Sequence, residues 1–241
     1  MNYKCLNITE YIFIMIECTV STSFLMKAWF VLKKQDIPPR LTISEGKVKV
    51  VAFPRGGAGM RVSYYPISEK ISTETTFEVS DALRCFIKKI SLFGDVKMTL
   101  ENNGLTISAE SPTVAIQYIF PTLKILEDNY IDNHEDDQTL SVSTADWFNM
   151  WNTMPPKGSV TISISKKSKV ITLNHSRGHW KSAVIGRSKP SRDASIVVDS
   201  GIAKSVFVDP KQSVFSEVIF KHVGVLHWRS KDEEIYVAPV E

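Results

Sequence analysis

Cations at helical spacing are the residues of this sequence best suited to chemistry with a charged partner. Arg84 and Lys88 stand four apart, with Lys89 beside them. Lys27 and Lys34 stand seven apart, Lys33 adjoins them, and no Asp or Glu lies between Thr22 and Gln35. Lys204 and Lys211 form a third set, and Asn149, Asn152 and Lys157 a weaker fourth. Lys and Arg on one face of a helix suit phosphate oxygens, contacts that hold a nucleic acid without reading its sequence. On one helix such a face is ordinary solvated charge. Its recurrence is what makes it informative.

Other motifs carry less. Pro54-Arg55-Gly56-Gly57-Ala58-Gly59 has the glycines of a phosphate cradle, but no Gly-Lys-Ser/Thr follows, so it reads as a hairpin loop. His175 and His179 are four apart across Arg177-Gly178, a turn with no other His or Cys near it, so no metal is expected. No Ser/His/Asp set or carboxylate pair is recognisable, which points away from an enzyme, and no cofactor is expected. Cys5, Cys18 and Cys85 are odd in number and lack a Cys-x-x-Cys spacing, which suits a reducing, intracellular compartment.

The elements that would position these residues repeat. Thr75–Val79 reads as a strand, and Ser80 as the N-cap of a helix whose apolar stripe is Leu83, Phe86, Ile87 and Ile90. Gly94 stops that helix, and three strands follow: 96–100, 105–109 and 114–120, the first two joined by Asn103-Gly104. From 139 the order recurs. A strand holds Leu140 and Val142, then Thr144 caps a helix with Trp147, Phe148, Trp151 and Met154 inward, ended by Pro155-Pro156. Strands at 160–164, 170–173 and 180–185 complete the unit. Two looser copies fit the ends of the chain. One has a strand at 13–20, a helix at 23–34, and strands at 41–43, 48–53 and 60–65. The other has a strand at 195–198, Asp199 capping a helix with Ile202, Val206 and Phe207 inward, and strands at 218–222, 226–228 and 235–237. Helix starts therefore recur about every 55 to 65 residues.

With 241 residues, 43% of them hydrophobic and 23% charged, the chain is long enough for two domains with real cores. The net charge is only +3, but it is unevenly spread. Residues 127–137 hold six carboxylates and no Lys or Arg, and Asp232-Glu233-Glu234 is acidic too, leaving the remainder basic. We read 1–121 and 139–241 as the two domains and 122–138 as an acidic connector. In that connector Leu123, Ile125, Leu126, Tyr130 and Ile131 are apolar residues in a charged, exposed setting, the mark of a peptide-binding patch. The apolar stretch 11–32 is broken by Glu17 and Lys27 and is read as strand and helix, not membrane span. An irregular α+β protein without true repeats is the plainer alternative.

Two halves of two strand-helix-three-strand units, joined by an acidic connector, resemble the sliding clamps of the proliferating cell nuclear antigen type and their tailed-phage counterparts. The local matches are Val79-Ser80-Asp81 opening a helix before a strand–Asn-Gly–strand hairpin, the connector Lys124-Ile125-Leu126-Glu127-Asp128, and the ending Tyr236-Val237-Ala238-Pro239-Val240-Glu241. The resemblance implies an α+β clamp fold, with helices lining a ring and sheets outside. It implies a homotrimer around double-stranded DNA that tethers DNA polymerase at replicating DNA, in a nucleus or a host cytoplasm. A polymerase and a clamp loader would dock short peptides beside the connector and Ala238-Pro239. Strand 113–120 of one subunit would pair with 179–185 of the next, with Ile116, Tyr118, Trp180 and Val184 supplying the apolar contact. The neutral third helix and the short chain depart from cellular clamps and suggest a divergent, viral or phage relative. A subunit of a hetero-oligomeric checkpoint ring, an open viral processivity factor, and a β-rich assembly protein without DNA contact are the other readings.

Overall fold

The computed structural model describes residues 15–30, 37–69, 71, 74–101, 104–120, 133–178, 180–208 and 214–240. The first half runs β1 (Met15–Ser21), α1 (Thr22–Phe30), β2 (Arg40–Ser44), β3 (Lys47–Ala52), β4 (Gly59–Pro66), β5 (Thr75–Glu78), α2 (Asp81–Lys89), β6 (Asp95–Glu101), β7 (Gly104–Glu110) and β8 (Ala115–Phe120). The second runs β9 (Gln138–Ser143), α3 (Thr144–Thr153), β10 (Ser159–Ile164), β11 (Val170–His175), β12 (Lys181–Ile185), β13 (Ala194–Asp199), α4 (Ser200–Val206), β14 (Phe215–Phe220), β15 (Leu226–Arg229) and β16 (Glu233–Val237). The strand-helix-three-strand order thus occurs four times, in an α+β chain whose described strand pairs are all antiparallel.

Sheet order repeats with it. The first half holds β1-β6-β7-β8 and β5-β2-β3-β4; the second holds β9-β14-β15-β16 and β13-β10-β11-β12 in the same sense. Pairing of β4 with β16 then fuses one sheet of each half into eight continuous strands. Period-two alternation drives the burial. Leu105, Ile107 and Ala109 of β7 and Val160, Ile162 and Ile164 of β10 point inward while their neighbours stay partly exposed. Each half has its own apolar core. Leu25, Trp29, Leu83 and Ile87 pack from α1 and α2 in the first, and Trp147, Trp151, Ala203 and Val206 from α3 and α4 in the second.

The caps follow the side-chain chemistry, with one correction. The hydroxyl of Ser80 accepts the Leu83 N–H at 3.1 Å and the carboxylate of Asp199 accepts that of Ile202 at 2.8 Å. For α3 the cap is Ser143, whose hydroxyl accepts the Asp146 N–H at 3.3 Å; Thr144 is already helical and buried. The reason is backbone geometry: Ser143 is extended, with φ −64° and ψ 124°. At the far end of α2, Ile90 takes the cap position, Ser91–Phe93 add a 3-10 turn, and Gly94 at φ 81° ends it. Phe86 stays only part-buried because its ring packs sideways against Tyr118 and Phe120, with centroids 4.9 and 5.9 Å away. Asn103 of the expected hairpin turn lies outside the described residues.

Candidate functional site

Helix packing gathers the expected cations in pairs of elements. α1 packs on α2, and α3 on α4. Lys27, Lys88 and Lys89 are exposed on the first pair, whose apolar stripes face the core. Arg84 is mostly covered and sits 3.3 Å from the Asp81 carboxylate, one turn earlier. Asp81 at the start and Lys88 and Lys89 at the end also complement the dipole of α2. On the second pair, Asn149 and Asn152 are exposed on α3 and Lys157 is exposed just beyond it.

Lys204 departs from the expectation. Its ammonium donates to the carbonyls of Asn152 and Met154, each at 2.9 Å, and so ties α4 to the open end of α3. The sequence places Lys204 on a helix, but its target is a neighbouring helix end that no local pattern reveals. Lys33, Lys34 and Lys211 fall outside the described residues, as do Leu123, Ile125, Leu126, Tyr130 and Ile131 of the connector. Of the tail, Ala238 donates its N–H to the Ala58 carbonyl at 2.9 Å and Pro239 is exposed. Val240 donates to the Val197 carbonyl at 2.8 Å, so the tail bridges the loop before β4 and the edge of β13.

The two strands expected at a subunit boundary are sheet edges. Among the described residues, β8 and β12 have a strand neighbour on one side only. Of the other four edges, that of β5 likewise has a strand on one side only, and those of β1, β9 and β13 are each partly covered. Thr19 of β1 donates its N–H to Glu69, Ser141 of β9 accepts from the Arg187 N–H, and Val197 of β13 accepts from the tail. Tyr118 is 47% exposed, and Ile116 and Trp180 are half-buried. Val184 is corrected: its side chain lies in the second core, and the outward apolar groups are its neighbour Ile185, 74% exposed, and Ile119, 63% exposed. Alternation puts Val184 and Ile185 on opposite faces of β12, and the phase is set by the sheet.

Two polar features on the eight-stranded sheet escaped the sequence reading. On its core side, where β4 meets β16, Arg61 donates to both oxygens of Glu233, at 2.9 and 3.1 Å, with both side chains buried. On its other face the Glu234 carboxylate accepts the hydroxyls of Tyr64, at 3.1 Å, and Tyr236, and lies 3.1 Å from Nε2 of His227. The His227 and Tyr236 rings stack, with centroids 4.1 Å apart. Burial acts to raise the Glu234 carboxyl, but the bonds from His227 and Tyr236 outweigh it and hold it at about 2. Burial pushes the His227 imidazole below its ordinary value, against the pull of Glu234.

These shifts fix a sign. Both groups bind protons less readily folded than unfolded, so stability is complete above their unfolded values and falls as pH drops. The melting midpoint should be level from about pH 6.5 to about pH 9 and decline on the acid side, with about 2 kcal/mol of that loss due to Glu234. Glu234→Gln should melt earlier than the wild type at pH 7 and show a shallower acid decline by calorimetry. A parallel decline in variant and wild type would remove Glu234 from the account.

Among the described residues, no three His, Cys, Asp or Glu side chains gather as metal ligands, and no helix is long and apolar enough to cross a membrane. His175 is buried, its Nδ1 accepting the Arg177 N–H at 3.2 Å, while His179 lies outside the described residues. No protein-family model matches this chain, and no curated protein matches its sequence.

Proposed function

We propose that this chain is a subunit of a sliding DNA clamp of the proliferating cell nuclear antigen kind. Three copies close head to tail around duplex DNA and tether a DNA polymerase to it, with topological linkage and not catalysis supplying the effect. One observation carries the reading: the edges of β8 and β12 correspond to those of β16 and β4, which already pair inside the chain.

Registers make the correspondence explicit. In the first half Ser21 pairs with Asp95, and Lys97, Ser108 and Gln117 lie in line across β6, β7 and β8. In the second half Ser143 pairs with Phe215, and Glu217, Arg229 and Glu234 lie in line across β14, β15 and β16. Gln117 therefore corresponds to Glu234. Counting from the caps Ser80 and Asp199, the line Glu78, Arg40, Val51, Val62 corresponds to Val197, Thr161, Asn174, Lys181. Inside the chain Glu234 stands opposite Val62. The same pairing between subunits puts Gln117 opposite Lys181 and Tyr118 opposite Trp180. A heterologous contact of this kind closes into a ring when the rotation permits.

The remaining support is chemical. Exposed Lys27, Lys88 and Lys89 on adjacent helices suit phosphates without base contacts, as a sliding partner requires. The bridging tail Ala238–Val240 offers a place where peptides of a polymerase or loader would dock, together with the connector. Native mass by light scattering over a range of concentrations tests the reading. The expected result is a species of three times 27.2 kDa, reduced to monomer by Tyr118→Asp. Wild-type protein that is monomer or dimer at every concentration overturns the homotrimer.

A further inference from the structure

From Lys157 to Arg192 the sequence holds nine Lys and Arg and no Asp or Glu. The fold brings six of these together, away from the helices. Val170 pairs with Ile185 and Ile164 with Ala194, so the hairpin 165–169 and the connection 186–193 leave the sheet at one end. Lys166, Lys167, Lys169, Arg187, Lys189 and Arg192 are all exposed there.

Both segments are fastened. The Asp193 carboxylate accepts the Lys166 N–H at 2.8 Å and the Ser165 hydroxyl at 3.1 Å, joining one loop to the other. Gly186 donates to the Lys169 carbonyl at 2.6 Å. The amide oxygen of Gln138 accepts the N–H groups of Ser191 and Arg192, both at 3.0 Å, and the Ser191 hydroxyl at 2.7 Å. Arg192 pairs with Asp136 at 3.1 Å, and the Arg187 guanidinium lies 3.3 Å from the centroid of the Phe215 ring. Among the described residues, Lys166, Lys167, Lys169 and Lys189 have no carboxylate at ion-pair distance.

The first half supplies an internal control. The corresponding end of its sheet, with the β2–β3 hairpin and the β4–β5 connection, is mixed in charge, its sequence holding Glu45, Glu69 and Glu74 as well as Lys47 and Lys70. There the Glu69 carboxylate accepts the Thr19 N–H, and Glu74 lies 3.7 Å from the Lys49 ammonium. The fold itself therefore does not call for an excess of cations at this end.

We infer that this end of the β10–β13 sheet is a second nucleic-acid surface, which takes the phosphate backbone and not the bases. Mutually repelling cations held on ordered backbone gain most from a polyanion that releases counterions on binding. Ser168 and Ser188 add short hydroxyl donors of the type that contact phosphate oxygens, while those of Ser165 and Ser191 are given to Asp193 and Gln138. Phe215 is the nearby exposed ring, and Arg187 already covers it, so bases find no stacking platform. The inference does not depend on ring closure.

The test is fluorescence anisotropy of the full chain with labelled duplex and single-stranded DNA of about 20 nucleotides across a salt series. The triple variant Lys166→Ala/Lys167→Ala/Lys169→Ala should bind about tenfold more weakly at low salt, with a log–log salt slope shallower by about 2 to 3. Its melting curve should match the wild type, because all three side chains are exposed. Loss with duplex, single strand or both supports the surface, and the larger loss names the form it takes. Unchanged affinity and slope overturn it, as does loss of binding to phosphatidylserine vesicles with DNA binding intact. Lys88→Glu/Lys89→Glu on α2 separates the two readings. If only that variant loses DNA, the loop surface fails and the helix surface stands; if only the hairpin variant loses it, the reverse holds.

Discussion

Arg61→Met should lower the free energy of unfolding by about 3 to 5 kcal/mol in urea, among the largest losses available to a single polar position. The guanidinium holds three things at once. It neutralises Glu233 across the β4–β16 pairing, and it donates to the carbonyls of Val206, at 3.3 Å, and Val208, where α4 ends. The Ser63 hydroxyl reaches the same carboxylate at 3.4 Å. Removing the cation leaves a charge in the core with no water to solvate it, and the penalty of a lone buried charge exceeds the net worth of the pair. Arg61→Met/Glu233→Met should therefore recover much of the loss. It should stay below the wild type by about 1 to 3 kcal/mol, because the helix-end carbonyls keep no donor from this side chain. A single variant costing under about 1 kcal/mol would mean that the junction does not bury this charge.

Phe207→Ala is expected to cost about 3 to 5 kcal/mol as well, by the loss of apolar contact and the cavity left behind. The Phe207 ring is fully buried directly after α4 and stacks on Trp151, with centroids 4.9 Å apart and planes 13° from parallel. Trp147 and Phe148 meet it edge-on, at 5.7 Å each. One side chain thus ties α3 and the end of α4 into the second core. Leucine at this position should restore part of the contact. Tryptophan fluorescence reads the effect directly: water reaching Trp151 in the alanine variant shifts emission to the red. A loss below about 1 kcal/mol with unshifted emission would show that the cluster repacks around the gap.

Much of the architecture was legible because it is periodic. Alternating Val160, Ile162 and Ile164 announce a strand with one buried face, and the stripe Leu83, Ile87 and Ile90 announces a helix. Ser80 and Asp199 cap as their chemistry suggests, since a short oxygen acceptor before an apolar stripe has few other uses. Where two acceptors adjoin, as at Ser143 and Thr144, only the backbone angles decide. What stayed hidden is long-range. Arg61 and Glu233 are 172 residues apart, and Lys204 finds its carbonyls 50 and 52 residues away on another helix. The acid-free run from Lys157 to Arg192 is plain in the sequence, but the meeting of its two loops follows from strand order alone.

The β4–β16 seam also has a consequence for how the molecule is made. It joins residues 170 positions apart, a contact of very high order, whose loop-closure entropy is spent before any pairing is gained. During synthesis the first half is complete long before β16 leaves the ribosome, so β4 waits with a row of unsatisfied N–H and C=O groups. An edge in that state is a template for another nascent chain. Folding should accordingly be slow and concentration-sensitive, and a chaperone that shields β4 until the late strand arrives would raise the yield of soluble protein more than any stabilisation of the finished fold.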